Sequence, residues 1–94
     1  MQVSWLRTAL RNLDDEAAYI AHDSPQAAQL LVQRVLTAVA LLAEQPGLGR
    51  PGRVPGTREL LVPNTRCVVP YRMRGRLVEV LRLFHSSRRP AQRW

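Results

Sequence analysis

Three side chains in the second half of this chain are of a kind that carries protons at a reacting centre: His85, Tyr71 and Glu59. Around them in sequence stand Arg50, Arg53, Arg58, Arg66, Arg72, Arg82, Arg88 and Arg89. A guanidinium is a permanently charged planar fork that matches phosphate or carboxylate, and an imidazole titrates near neutral pH. Such a set suits the binding of a polyanion. Where a proton acceptor, a proton donor and positive charge meet on one phosphate, it also suits phosphodiester cleavage.

His85 follows an apolar run directly and precedes Arg88 by three residues, so it is a candidate acid or base with Arg88 holding phosphate. The competing reading makes it a cap on a strand end, bonded to a backbone carbonyl. Arg58 and Glu59 open a predicted strand and point to opposite faces. Arg72 shares a strand parity with Arg66, Val68 and Arg74, away from Cys67, Val69, Tyr71 and Met73, which predicts a basic face opposite an apolar one. Arg74 and Arg76 flank a turn and read as solvated, as does His22. Cys67 reads as core packing. No Cys/His spacing suggests a metal site, and neither metal nor cofactor is expected.

The elements that must position these residues are legible from period and punctuation. Val3 and Trp5 alternate with polar residues in a short N-terminal strand. Leu6, Leu10, Leu13, Ala17 and Ile20 recur at helical steps. Ser24 is an N-cap and Pro25 a first helical residue, predicting a second helix from Pro25 to Glu44. That helix carries Ala28, Leu31, Val35, Val39 and Leu42 on one stripe, with Leu30, Leu36 and Leu41 beyond it, so something covers it on more than one side. Its cover is the first helix, the sheet or a partner protein. Residues 45–57 are glycine- and proline-rich loop, without the Gly-Lys-Ser/Thr of a phosphate-cradling loop. Three strands follow, Arg58–Val62, Cys67–Met73 and Leu77–Phe84, with turns at Pro63-Asn64 and Arg74-Gly75. Pro70 removes a ladder donor inside the middle strand, which predicts a bulge or local break there.

The totals narrow the class. Ninety-four residues make one small domain over 1–94, with 85–94 a basic C-terminal tail. The fold class expected is α+β, an N-terminal strand and helical hairpin packed on a small, mainly antiparallel sheet (β-α-α-β-β-β). Residues 1–45 hold three arginines against five acids; residues 46–94 hold eleven arginines against Glu59 and Glu79. Charge so unevenly placed points to a polyanion, an acidic protein or both. One cysteine forms no internal disulfide, and the longest apolar run, Ala38 to Ala43, is far short of a membrane span, so a cytoplasmic protein without membrane contact is expected.

Along nearly its whole length the chain resembles the RelE/ParE toxins of type II toxin–antitoxin systems. The resemblance rests on Val3 and Trp5, the A-L-x-x-L and A-A-Y-I-A stretches (Ala9–Leu13, Ala17–Ala21), and D-S-P at Asp23–Pro25. It continues in G-R-P-G-R-V-P-G-T-R-E-L (Gly49–Leu60), V-V-P-Y-R (Val68–Arg72) and H-x-x-R-R (His85–Arg89). It implies a growth-inhibiting toxin silenced by a cognate antitoxin in a hetero-oligomer.

One branch of that family cuts mRNA on the ribosome; another poisons DNA gyrase without nuclease chemistry. His85 among arginines tips the expectation toward mRNA cleavage, with His85, Arg58, Arg72 and Arg88 as the catalytic group. Arg50, Arg53, Arg66, Arg82, Arg89 and Trp94 would then bind nucleic acid or another target. The chain departs from the ribonuclease pattern at Val68, where that branch usually has an arginine, and at Cys67, where it has an aromatic residue. It also ends in Trp94, which stacks on a base but exchanges no proton, where that branch favours tyrosine or histidine. A small basic nucleic-acid-binding protein is the remaining alternative, against which stand the absent helix-turn-helix pattern and absent aromatic strand motif.

Overall fold

A computed structural model describes residues 1–87. Strand β1 (Gln2–Trp5) leads into helices α1 (Arg7–Ala21) and α2 (Pro25–Ala40), the second prolonged by a 3₁₀ turn, Leu41–Ala43. Then come β2 (Arg50–Pro51), β3 (Arg58–Leu61), β4 (Cys67–Arg74), β5 (Leu77–Val80) and β6 (Phe84–His85). The strands form one sheet in the order β1-β5-β4-β3-β2, with β6 also on β4. Among the described residues only the β1–β5 pairing is parallel, because the helical hairpin returns the chain as a crossover; the other pairings are antiparallel.

Ser24 caps α2 through its hydroxyl, which accepts from the Ala27 N–H at 3.1 Å, and Pro25 takes the first helical position. The buried stripe of α2 is Ala28, Leu31, Val35, Ala38 and Val39, continued by Leu42. By length and composition alone the stretch Pro25–Ala43 also passes for a membrane span. Here its buried stripe packs on the sheet, with 33% of the stretch buried. The first helix is rotated from the expected stripe: Ala9, Leu13 and Glu16 are its buried residues, whereas Leu10 is 45% exposed. Both stripes contain Leu13 and have the same period, so only packing against α2 and the sheet distinguishes them.

Pro70 does not interrupt its own strand. β4 runs unbroken through it, and the break falls in the neighbour, where residues 81–83 separate β5 from β6. The register explains this. Tyr71 pairs with Val80 and Val68 with Phe84, so three residues, 81–83, oppose two, 69 and 70. The Pro70 carbonyl accepts from the Leu81 N–H at 2.9 Å, but proline has no N–H to return the bond. The orphaned Leu81 carbonyl instead accepts from Arg82 Nη1 at 2.6 Å, and the Leu83 N–H donates to Asn12 Oδ1 on α1 at 3.1 Å. The expected single strand Leu77–Phe84 is thus two strands around a bulge. β2, within the expected loop, is the other strand that periodicity does not show: two residues are too few to carry a pattern.

Candidate target-binding face

Register assigns each candidate to a side of the sheet, since directly paired residues share a face. The helix side carries Val3, Trp5, Val78, Val80, Leu60, Val69, Tyr71 and Cys67, all in or against the hydrophobic core. Arg58, opposite Tyr71, and His85, opposite Cys67, lie on this same side. The outer side carries Arg50 opposite Glu59 opposite Pro70, and Arg72 opposite Glu79.

On the outer side Glu59 is the anchor. It is 1% exposed, and its Oε1 accepts from Arg50 Nη2 at 3.2 Å. Its Oε2 accepts from the Arg53 backbone N–H at 3.2 Å, with Arg53 Nε 3.9 Å away. One carboxylate therefore ties down the hairpin 50–58 and orients two guanidinium groups whose side chains stay 52% and 46% exposed. Arg53 also lies over the Phe84 ring, 5.9 Å from its centroid, within reach of a cation–π attraction. Arg50, Arg53 and Arg66 converge with Thr65 and Ser86 around a depression of about 390 Å³. Further along the same face Arg72 donates to Glu79 Oε1 at 2.8 Å, with Arg74 at 3.7 Å. The Arg72 hydrogen bond holds the Glu79 carboxyl below its ordinary range against the opposing effect of burial, and Arg74 adds to the lowering.

The proton carriers are elsewhere or already engaged. Tyr71 is fully buried; its hydroxyl donates to the Pro46 carbonyl at 2.7 Å and accepts from the Gly49 N–H at 2.8 Å. Gly49 is required there, since a Cβ would fall 2.7 Å from Tyr71 Cε1. Arg58 Nη1 donates to the Gly49 carbonyl at 2.8 Å, fastening the same loop from the strand side. His85 Nδ1 accepts from the Ser87 N–H at 3.2 Å and lies 2.7 Å from the Ser87 hydroxyl. It caps the turn after β6 through a backbone donor rather than a carbonyl.

Of the expected catalytic group, then, Arg58 on β3 and His85 on β6 flank β4 on opposite edges and pair with it four residues apart, about 13 Å along the strand alone. Arg72 is on the opposite face. Arg88, Arg89 and Trp94 lie outside the described residues. Among the binding candidates the structure brings Arg50, Arg53 and Arg66 together; Arg82 is held by the bulge. The expected basic face is present only in part, because Val68, of the same parity, is 2% exposed and Pro70 is buried beside it. Cys67 is buried, and burial pushes its thiol up from its ordinary value, the opposite of nucleophile activation. Among the described residues no three His, Cys, Asp or Glu side chains converge as metal ligands.

This architecture recurs in known proteins. The family model described as "ParE toxin of type II toxin-antitoxin system, parDE" matches residues 3–90. The protein named "Putative toxin Y4kP" of Sinorhizobium fredii is 44% identical over 93 residues, covering 99% of this chain and 92% of its own. "Toxin RelE2" of Caulobacter vibrioides is 36% identical over 87 residues, covering 93% and 97%. A solved chain of the "Chromosomal ParDE TA system from P. aeruginosa" superposes with a TM-score of 0.80 at 31% identity, covering 90% of this chain and 95% of that one. With the hairpin-on-sheet fold, the arginine face and a family match over most of the chain all in agreement, the chain belongs to the ParE toxin family and is the toxin of a type II toxin–antitoxin system.

Proposed function

We propose that this toxin acts in the cytoplasm by binding rather than cutting, as a poison of DNA gyrase engaged through the face of Arg50, Arg53 and Arg66. The observation that carries the reading is that, among the described residues, no histidine, tyrosine or carboxylate lines the depression of Arg50, Arg53 and Arg66. Glu59 is buried beneath the arginines that it orients, Tyr71 is consumed by the loop, and His85 lies on the helix side of the sheet. Phosphodiester cleavage needs acid, base and cation on one phosphate. A binding face needs only preoriented, half-exposed cations, which Glu59 supplies. The ParE description of the matching family and the ParDE title of the solved neighbour support the same branch.

A second reading, ribosome-dependent mRNA cleavage, has one observation in its favour. His85 lines a depression of about 200 Å³ together with Arg34 and Arg66. Because its Nδ1 accepts from Ser87, a neutral ring carries its proton on Nε2.

Purified toxin assayed in parallel with gyrase and supercoiled DNA, and with translating ribosomes and mRNA, separates the two. Gyrase-dependent DNA breaks with intact mRNA are expected, and R53Q/R66Q should lower break formation by about tenfold or more. Cleaved mRNA abolished by His85→Gln, without breaks, would reverse the assignment.

A further inference from the structure

The outer face of the sheet carries more positive charge than its own carboxylates offset. Arg50 and Arg53 share the single charge of Glu59, and Arg72 and Arg74 share that of Glu79. Arg66, which lines the same depression as Arg50 and Arg53, makes no ion pair among the described residues. Five guanidiniums thus stand against two carboxylates, in two groups. One surrounds the depression beside Val68; the other lies about four residues further along β4, roughly 13 Å away.

We infer that this face grips the sugar–phosphate backbone of duplex DNA, so that the toxin contacts the DNA held by its target as well as the enzyme itself. The inference rests on the reading of this face as the target-binding surface. Charge geometry favours a polyanion over an acidic side chain. One carboxylate neutralises one guanidinium, whereas a DNA strand presents a phosphate about every 3.4 Å of rise and reaches both groups at once. The lining offers a protein partner little to anchor on. Cys67 and Val68 are 3% and 2% exposed, which leaves Leu61 as the exposed apolar side chain of the depression among the described residues. Protein interfaces concentrate their energy in apolar anchor pockets, while phosphate contacts use guanidinium, hydroxyl and backbone donors. Ser86 adds a hydroxyl to the lining, whereas that of Thr65 is spent on the Val62 carbonyl at 2.9 Å. A single strand is read largely by stacking its bases on aromatic rings. Phe84 lies opposite Val68 on this face, but Arg53 stands over its ring, 5.9 Å from the centroid, where a base would stack. The phosphate backbone is what remains to be bound. Because Glu59 already holds Arg50 and Arg53 in place, little side-chain freedom is lost on contact.

The test titrates the full chain into a labelled duplex of about 20 base pairs, without gyrase, at about 50 to 200 mM salt. Three phosphate contacts give a slope of log K against log salt near −3, and R53Q/R66Q should make it shallower by about two. At the low-salt end that variant should bind about tenfold or more weakly. R7Q/R11Q removes the same charge from exposed positions on α1 and should keep the parent slope. Binding of R53Q/R66Q to gyrase without DNA should stay within about threefold of the parent. Equal losses in R53Q/R66Q and R7Q/R11Q overturn the proposal, since net charge alone would then explain them. So does a duplex left unbound at about 100 µM toxin in low salt. Tighter binding of single-stranded RNA than of duplex, or loss of R53Q/R66Q binding to gyrase alone, overturns it as well. If circular dichroism shows the double variant unfolded, R66Q alone carries the comparison, with a slope change of about one. Absent gyrase-dependent breaks would count against the target reading, while the duplex titration would still decide this one.

Discussion

The Gly49 N–H donates to the Tyr71 hydroxyl at 2.8 Å, and that hydroxyl donates in turn to the Pro46 carbonyl at 2.7 Å. Both capacities of the phenol are spent on a loop 22 and 25 residues away in sequence. The tyrosine that residue chemistry nominates for proton transfer is instead the clamp that fixes where Arg50 and Arg53 begin. Removing the hydroxyl by Tyr71→Phe leaves a buried donor and a carbonyl unpaired. The expected loss is about 1–3 kcal/mol in urea unfolding. A loss below about 0.5 kcal/mol would show that the clamp is not holding the loop.

Gly49→Ala tests the same contact from the other side. The added Cβ would meet Tyr71 Cε1 at 2.7 Å and the Glu59 carbonyl oxygen at 2.9 Å, with neither free to move. Overpacking of this kind costs about 1–3 kcal/mol, readable as a lowered urea midpoint. An alanine variant as stable as the parent would mean that the loop has room the contact denies.

The Arg72–Glu79 pair makes stability depend on pH. The hydrogen bond from Arg72 depresses the carboxyl in the folded chain, so its contribution is complete above the unfolded-state value of about 4.3. It is lost as pH falls through the lower folded-state value. Urea midpoints measured from pH 7 to 3 should therefore drop more steeply in the parent than in Glu79→Gln. Parallel curves would remove Glu79 from the acid-sensitive set.

Cys67 should be nearly inert. It is 3% exposed and burial raises its thiol, so an aromatic disulfide reagent at pH 8 should label it only on unfolding. Rapid labelling of the native chain would mean that the β4–β6 end opens readily. Cys67→Ala should leave growth arrest intact.

Ser24→Ala removes the hydroxyl that accepts from the Ala27 N–H, and about 1 kcal/mol of stability should go with it.

Local chemistry made much of this molecule readable from the chain alone. Ser24-Pro25 marks the start of α2, helical spacing shows its buried stripe, and Pro63-Asn64 and Arg74-Gly75 mark turns, with Asn64 and Gly75 both taking positive φ. These signals act over a few residues, where backbone sterics and hydrogen bonding decide. The motif order was likewise enough to indicate the toxin family, and the uneven placement of arginine was enough to indicate a binding half. What the chain could not show depended on pairing across distance. That Pro70 would break its neighbour rather than its own strand follows from which side its missing N–H faces, and register alone sets that. Whether Arg58, Arg72 and His85 meet was equally a matter of register, because a strand's alternation assigns two faces without saying which one the helices cover. Only the packed sheet put Arg58 and His85 on the helix side and Arg72 outside. Only it buried Glu59 beneath Arg50 and Arg53, turning a candidate proton carrier into the anchor of the arginine half.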